Sequence, residues 1–285
     1  RSAWAFRGSE GRGWGVVVLA GNSSGVDVAA RPLCRADGTV SWPWQQAAAS
    51  GPGWWHAVTG TEGSGGDARP AVRITGNDGT TQTIKVRRVE EAPSDPYEAR
   101  SAAPEPTLAG FPACHRSRCG RGALTELLRH AGLGSGDAEV VGAWQRDLGK
   151  RRLPSVVAVR APEGGWLLGA QVETPEPEVR WFSGPVLVAA PDGGVDDLLV
   201  AFDIDTADGW EAGAKVLVVA PAGTETVTMG DVAAGVVNGF ALLPTAKLTN
   251  PDGRVIARAA GGAEVGSTFR AQETPDQVGI SAVPE

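Results

Sequence analysis

The sequence predicts a mainly β protein, built as two β-sandwich or barrel-like modules with one short α-helix between them. Three observations carry this. Short apolar or alternating runs recur along nearly the whole chain, clusters of Gly, Asp, Asn and Ser separate them, and a single stretch has helical periodicity. At 285 residues the chain exceeds the length at which one core stops growing comfortably, which suits two modules.

Residues 1–90 form the N-terminal β module. Its runs include GWGVVVLAG, GVDVAARPLC, TVSWPW, GWWHAV, AVRITG and TQTIKVRRV. Asp37-Gly38 and Asp78-Gly79 sit between strand-like flanks, where glycine accepts the positive φ of a tight hairpin. Residues 91–118 are rich in proline and poor in large apolar side chains, so they read as a linker or strap. Residues 119–134 hold the helix: Ala123, Leu124, Leu127, Leu128 and Ala131 share one face of a 3.6-residue period. Gly132 is placed to end it, with Leu133 folding back toward Leu128. Residues 135–265 form the C-terminal β module, with runs such as SVVAVRA, GWLLGAQVE and KVLVVAPAG, and residues 266–285 read as a polar tail. Glycines at 38, 79, 120, 164, 209 and 253 recur at intervals of 41–45 residues, a spacing that propeller blades use, so a β-propeller is the alternative architecture.

The stretch FPACHRSRCGRGALTELLRHAGLG holds two of the three cysteines and two of the three histidines. Cys114 and Cys119 are read as a short disulfide at the helix entrance, which requires an oxidising compartment. A zinc site would need a fourth ligand and a second paired knuckle, and none is present, so no metal is expected. Cys34 is read as a buried thiol acting as a small hydrophobe. Arg116, Arg118 and Arg121 suit a solvated loop paired to acidic neighbours.

Gly21-Asn22-Ser23-Ser24-Gly25 matches the G-x-S-x-G of serine hydrolases, with His56, His115 or His130 as the base in that alternative. The mechanics demand a helix after the serine. The next residues, VDVAARPL, have a strand pattern instead, so a hairpin turn explains the same letters. Gly11, Gly13 and Gly15 precede their strand and lack the following helix of a dinucleotide loop. Asp203, Asp205 and Asp208 read as a strand ending in a capped turn. No cofactor is expected.

A net charge of −7 gives no electrostatic reason to approach a phosphate backbone, so nucleic acid is not an expected partner. No run of about 18 apolar residues is present, so a membrane is reached only through a removed anchor. Twenty-two arginines against four lysines, with abundant Ala, Gly and Val, is the usage of a GC-rich genome such as an actinobacterial one. The chain begins at Arg1, and its single methionine is Met229, which suggests a processed or excised piece.

Ten tryptophans against one tyrosine is the oddity of composition. Trp42, Trp44, Trp54 and Trp55 crowd the first module. Neighbours in a strand point to opposite faces, so one of Trp54 and Trp55 faces solvent unless both faces are covered. Exposed indoles give rigid contact area for a protein or a sugar ring, and these four are the candidate binding residues. The competing reading places them in sheet cores.

The run KVLVVAPAGTETVTMGDVAAGVVNGFALLPTAKLTNPDGRVIARA, residues 215–259, resembles ectodomain segments of poorly characterised actinobacterial membrane-anchored proteins. In those, a strand ending in Ala-Pro-Ala-Gly precedes an apolar strand ending in Leu-Pro and then an Asp-Gly hairpin. The resemblance implies a cell-surface or secreted location, tethered through an anchor, and carries over no functional residue. The expected function is a non-catalytic interaction or sensor module binding a protein or cell-envelope component, glycan included.

Overall fold

The computed structural model describes residues 1–7, 14–29, 31–59, 70–84, 86–88, 120–133, 136–145, 153–173, 180–204, 215–244, 253–273 and 281–282. Among the described residues the chain is mainly β, with 60% of them in strands and 9% helical, and the strands gather into several largely antiparallel sheets. The Pro-rich segment and the expected Cys114–Cys119 disulfide fall outside the described residues.

Two compact units form. The first comprises Arg1–Leu33, Val40–Pro106 and Leu128–Ala138, and the second comprises Cys34–Thr39, Thr107–Leu127 and Glu139–Glu285. In the first unit a five-stranded sheet runs in the order Arg87–Arg88, Ser2–Arg7, Trp14–Leu19, Trp54–Thr59, Ala48–Gly51. A four-stranded sheet runs Thr81–Ile84, Ala71–Gly76, Ser23–Ala29, Gln45–Gln46. Alternation supplies one buried face to each. Ala3, Ala5, Val16, Val18 and Ala57 of the larger sheet share a core with Val26, Val28, Val72 and Ile74 of the smaller one.

The second unit stacks three sheets. The first has six strands, ordered Glu139–Gln145, Leu153–Arg160, Trp166–Glu173, Arg180–Val188, Ser281–Ala282, Gln272–Glu273. The next has three, Val200–Ile204, Lys215–Val219 and Phe240–Pro244. The last has four, Val232–Gly235, Thr224–Met229, Arg254–Ala259 and Glu264–Phe269. The three-stranded sheet lies in the middle and is buried on both faces. Leu217, Val219 and Phe240 join Trp144, Trp166 and Leu168 in one core. Val216, Val218, Ala241 and Leu243 join Val227, Met229 and Val255 in another. A strand with no solvent face needs no polar alternate, which is why VLVV and FALL are unbroken apolar runs.

Among the described residues no propeller and no closed barrel forms. The regular glycine spacing marks hairpin turns, while the strands between them join sheets of unequal size. Four hairpins share one hydrogen-bond pattern, at Arg35–Thr39, Gly76–Thr80, Ala161–Gly165 and Ala259–Ala263: the first N–H donates to the fifth carbonyl, and the fourth N–H donates to the first carbonyl. In the first three this is a type I turn closed by a bulge whose residue takes positive φ; at Ala259–Ala263 Gly261 (φ 83°) as well as the bulge residue Gly262 (φ 88°) is positive, which makes that turn type II. In two of the first three the bulge residue is the expected Gly38 (φ 78°) or Gly79 (φ 80°).

An Asp-Gly-Thr triplet locks both of these turns. Asp37 accepts from the Thr39 hydroxyl at 2.6 Å and its N–H at 2.9 Å, and Asp78 does the same with Thr80 at 2.7 and 3.0 Å. The threonine hydroxyl and then the threonine N–H hold each carboxyl below the usual aspartate range. A pKa depressed on folding means that the turn's stabilisation is present above the unfolded value and is lost as the pH falls through the folded one. In a carboxyl-carbon NMR titration, Asp37 and Asp78 are expected to titrate below free aspartate. Midpoints at or above the free value would contradict the locked turns.

Arg121–Ala131 is the α-helix among the described residues. Ala123, Leu124, Leu127, Leu128 and Ala131 are all buried, the face that periodicity assigns. Gly132 takes φ 70°, and Leu133 N–H donates to Leu128 O at 2.9 Å. This is a Schellman stop with its glycine where the sequence placed it.

Past Val265, where composition reads a polar tail, the backbone continues to pair. Glu264–Phe269 edges the four-stranded sheet, Ala271 N–H donates to Ala201 O at 2.8 Å, and Ser281–Ala282 pairs in parallel with Val186 and Leu187. Ladder bonds use main-chain groups, so a strand with few apolar side chains can still complete a sheet. Among the described residues no helix is long and apolar enough to cross a membrane.

The tip of the Arg35–Thr39 hairpin belongs to the second unit although its flanks belong to the first. Gly165 N–H donates to Cys34 O and Ala190 N–H donates to Ala36 O, both at 2.9 Å. Cys34 is buried there, at 2% exposure.

Candidate binding surface

The four candidate tryptophans all lie in the first unit but on opposite sides of its sandwich. Trp54, His56 and Val58 alternate with Trp55, Ala57 and Thr59 along one strand. The second set turns inward: Ala57 and Thr59 are buried, and Trp55 packs against the core. The first set turns outward, with Trp54 45% and Val58 77% exposed. The neighbouring strand sets Leu19, 37% exposed, directly opposite Trp54. Val17 stands opposite His56, and Trp4 lies beyond it on the next strand. The outward face of the five-stranded sheet thus presents indole, leucine and valine where water would favour polar side chains.

Trp55 has a structural task. Its Nε1–H donates to Ser23 Oγ at 3.2 Å, and the Ser23 hydroxyl donates to Ala20 O at 2.6 Å. A buried indole N–H needs such a partner. Gly21 and Asn22 form the turn before this serine, with Asn22 at φ 60°, and a strand comes next; the turn is not the expected hairpin, because Trp14–Leu19 lies in the five-stranded sheet and Ser23–Ala29 in the four-stranded one, so it carries the chain from one sheet to the other. His56 Nδ1 meets the hydroxyl of Ser50, the extra residue of a β-bulge between Ala49 and Gly51. His130, itself exposed, lies beside Arg129 at 3.2 Å in the last turn of the helix, and His115 falls outside the described residues. Neither His56 nor His130 is hydrogen-bonded to Ser23.

Trp42 and Trp44 occupy the other side. Trp44 N–H donates to Trp42 O at 2.8 Å, a three-residue turn centred on Pro43, whose ring fixes φ. The two indoles lie 5.7 Å apart between centroids and are tilted by 31°. The guanidinium of Arg73 sits 4.7 Å from the centroid of the Trp44 ring. Arg73 Nη2 and Nε also donate to Asp27 Oδ2, at 2.9 and 3.2 Å. Asp27 and Arg73 are cross-strand partners, and Gln46 pairs with Asp27 from the next strand. With Arg73 37% and Asp27 25% exposed at the side chain, the ion pair itself contributes about 0–1 kcal/mol. Its larger effect is to hold the guanidinium, and with it the indole, in one place.

Arg73, Asp27, Gln46, Leu19 and Val58 escaped the sequence reading. A signal for two of them was present: Asp27 in V-D-V and Arg73 in V-R-I each stand between inward β-branched residues, so each had to face out. Asp203 lies in a strand, whereas Asp205 and Asp208 fall outside the described residues. Among the described residues no group of three or more His, Cys, Asp or Glu side chains is placed to hold a metal. Comparison with protein-family models, with curated proteins and with solved structures finds no match to the chain.

Proposed function

We propose that the chain is a non-catalytic extracytoplasmic interaction module, the outward part of a membrane-anchored actinobacterial protein, and that it holds a protein or cell-envelope component on the tryptophan-bearing surfaces of its first unit. The observation that carries this reading is the exposed Trp54, Leu19 and Val58 on one sheet face. Trp54 and Leu19 are cross-strand neighbours that form one apolar contact area. Such area is unfavourable in water and becomes favourable when a partner covers it. A second indole pair, held by Arg73, faces out on the other side. The acidic balance of the chain argues against a nucleic-acid partner, and the engagement of Ser23 with Trp55 and Ala20 supports a structural serine.

The test is retention. Full-length protein immobilised on beads and incubated with an actinobacterial cell-envelope fraction is expected to hold a specific component. Trp54→Ser is expected to cut that retention by about tenfold, the loss of an interface aromatic worth roughly 1.4 kcal/mol. Retention unchanged in Trp54→Ser would sink the reading. So would stoichiometric labelling of the wild-type protein by a serine-reactive fluorophosphonate.

A further inference from the structure

The Trp42 side of the sandwich differs in chemistry from the Trp54 side. It combines half-buried indoles with a carboxylate, a guanidinium and an amide on one row of the four-stranded sheet: Gln46, Asp27 and Arg73. Asp27 and Arg73 are paired at 2.9 Å, so their charges balance and neither an anion nor a cation is favoured as ligand. The indole pair is fixed in two independent ways. The Pro43-centred turn bonds Trp44 N–H to Trp42 O, and Arg73 packs over the Trp44 ring. A platform that loses little freedom on binding suits a ligand with little area to bury.

We infer that Trp42 and Trp44, with Asp27, Arg73 and Gln46 at their edge, bind the pyranose ring of an uncharged glycan. The inference rests on the interaction-module reading above and names the ligand class of one of its surfaces. A pyranose has apolar C–H faces that lie against an indole, and its rim hydroxyls both donate and accept. Asp27 accepts only, Arg73 donates only and Gln46 does both. A rim of hydroxyls can satisfy all three at once. A proline-rich peptide, the other common occupant of tryptophan surfaces, offers carbonyl acceptors and few N–H donors. It would leave the Asp27 carboxylate facing carbonyl oxygens.

The experiment monitors tryptophan emission of the full chain during titration with soluble linear oligomers of glucose, mannose, galactose and N-acetylglucosamine, and with an oligoproline peptide. At least one sugar series is expected to saturate the signal, and oligoproline is expected to leave it unchanged. Trp42→Ala and the isosteric Asp27→Asn should each weaken that sugar about tenfold, with circular dichroism matching wild type. Glu225→Gln, at an exposed position of the second unit, should leave it unaffected. The inference is overturned if no sugar series saturates, if the folded Asp27→Asn and Trp42→Ala proteins bind as wild type does, or if oligoproline binds at this site. Should the sugars fail while Trp54→Ser still loses envelope retention, the glycan assignment alone falls. Retention indifferent to Trp54→Ser would remove the wider reading instead.

Discussion

Replacing Phe240 with alanine lowers the stability of the second unit by about 3–5 kcal/mol, the range for emptying a fully buried phenylalanine site. Phe240 is 0% exposed and shares its core with Trp144, Trp166, Leu168 and Leu217. Its backbone is fixed independently of the ring, because Val237 and Phe240 exchange hydrogen bonds of 2.9 and 3.1 Å across a turn in which Asn238 and Gly239 take φ 54° and 73°. That is the type I′ geometry preferred by two-residue hairpins. The hairpin therefore survives the substitution and holds the cavity open, so little of the loss is recovered by collapse. Urea denaturation of the full-length protein should show an earlier transition, while Trp54→Ala, at an exposed site, should shift it by no more than about 0.5 kcal/mol. Equal midpoints for Phe240→Ala and wild type would show that the middle sheet is not packed as described.

The second large effect concerns a glycine with no unusual φ. A methyl group added at Gly165 would lie 2.5 Å from Arg35 O and 2.6 Å from Cys34 O, both main-chain atoms that no rotamer change can move aside. Gly165→Ala is thus an overpacking substitution costing about 1–3 kcal/mol or more. The strain has one place to go: the Cys34–Thr39 tip must lift from Gly165 and from Ala190, whose N–H groups donate to it. Hydrogen exchange should report this locally. The Gly165-position and Ala190 amides are expected to exchange faster, whereas Leu217, in the middle sheet, keeps its protection. Uniform acceleration across the second unit, or none at all, would contradict a docked tip.

What was legible in the sequence was local. The helix face from Ala123 to Ala131, the Gly132 stop, the Asp-Gly hairpins and the outward turn of one member of the Trp54-Trp55 pair come from periodicity and from the φ that glycine allows. What stayed hidden depends on partners distant along the chain. The alternation in V-D-V and V-R-I shows that Asp27 and Arg73 face outward, but not that they meet, 46 residues apart. Nothing in the letters brings Arg73 over Trp44, His56 onto the bulged Ser50, or Arg87–Arg88 alongside Ser2–Arg7 in parallel. The polar end of the chain misled because side-chain composition carries no record of main-chain pairing. The even glycine spacing misled for a related reason: it counts reversals and does not say which sheet each strand enters.

The Cys34–Thr39 tip makes this a chain that cannot be divided at a single point into self-sufficient halves. A fragment starting after the Pro-rich segment would carry most of the second unit yet leave the Gly165 and Ala190 amides without their acceptors. The complementary piece would retain a hairpin with nowhere to dock. Six residues contributed from far upstream thus complete the second unit's own hydrogen bonding.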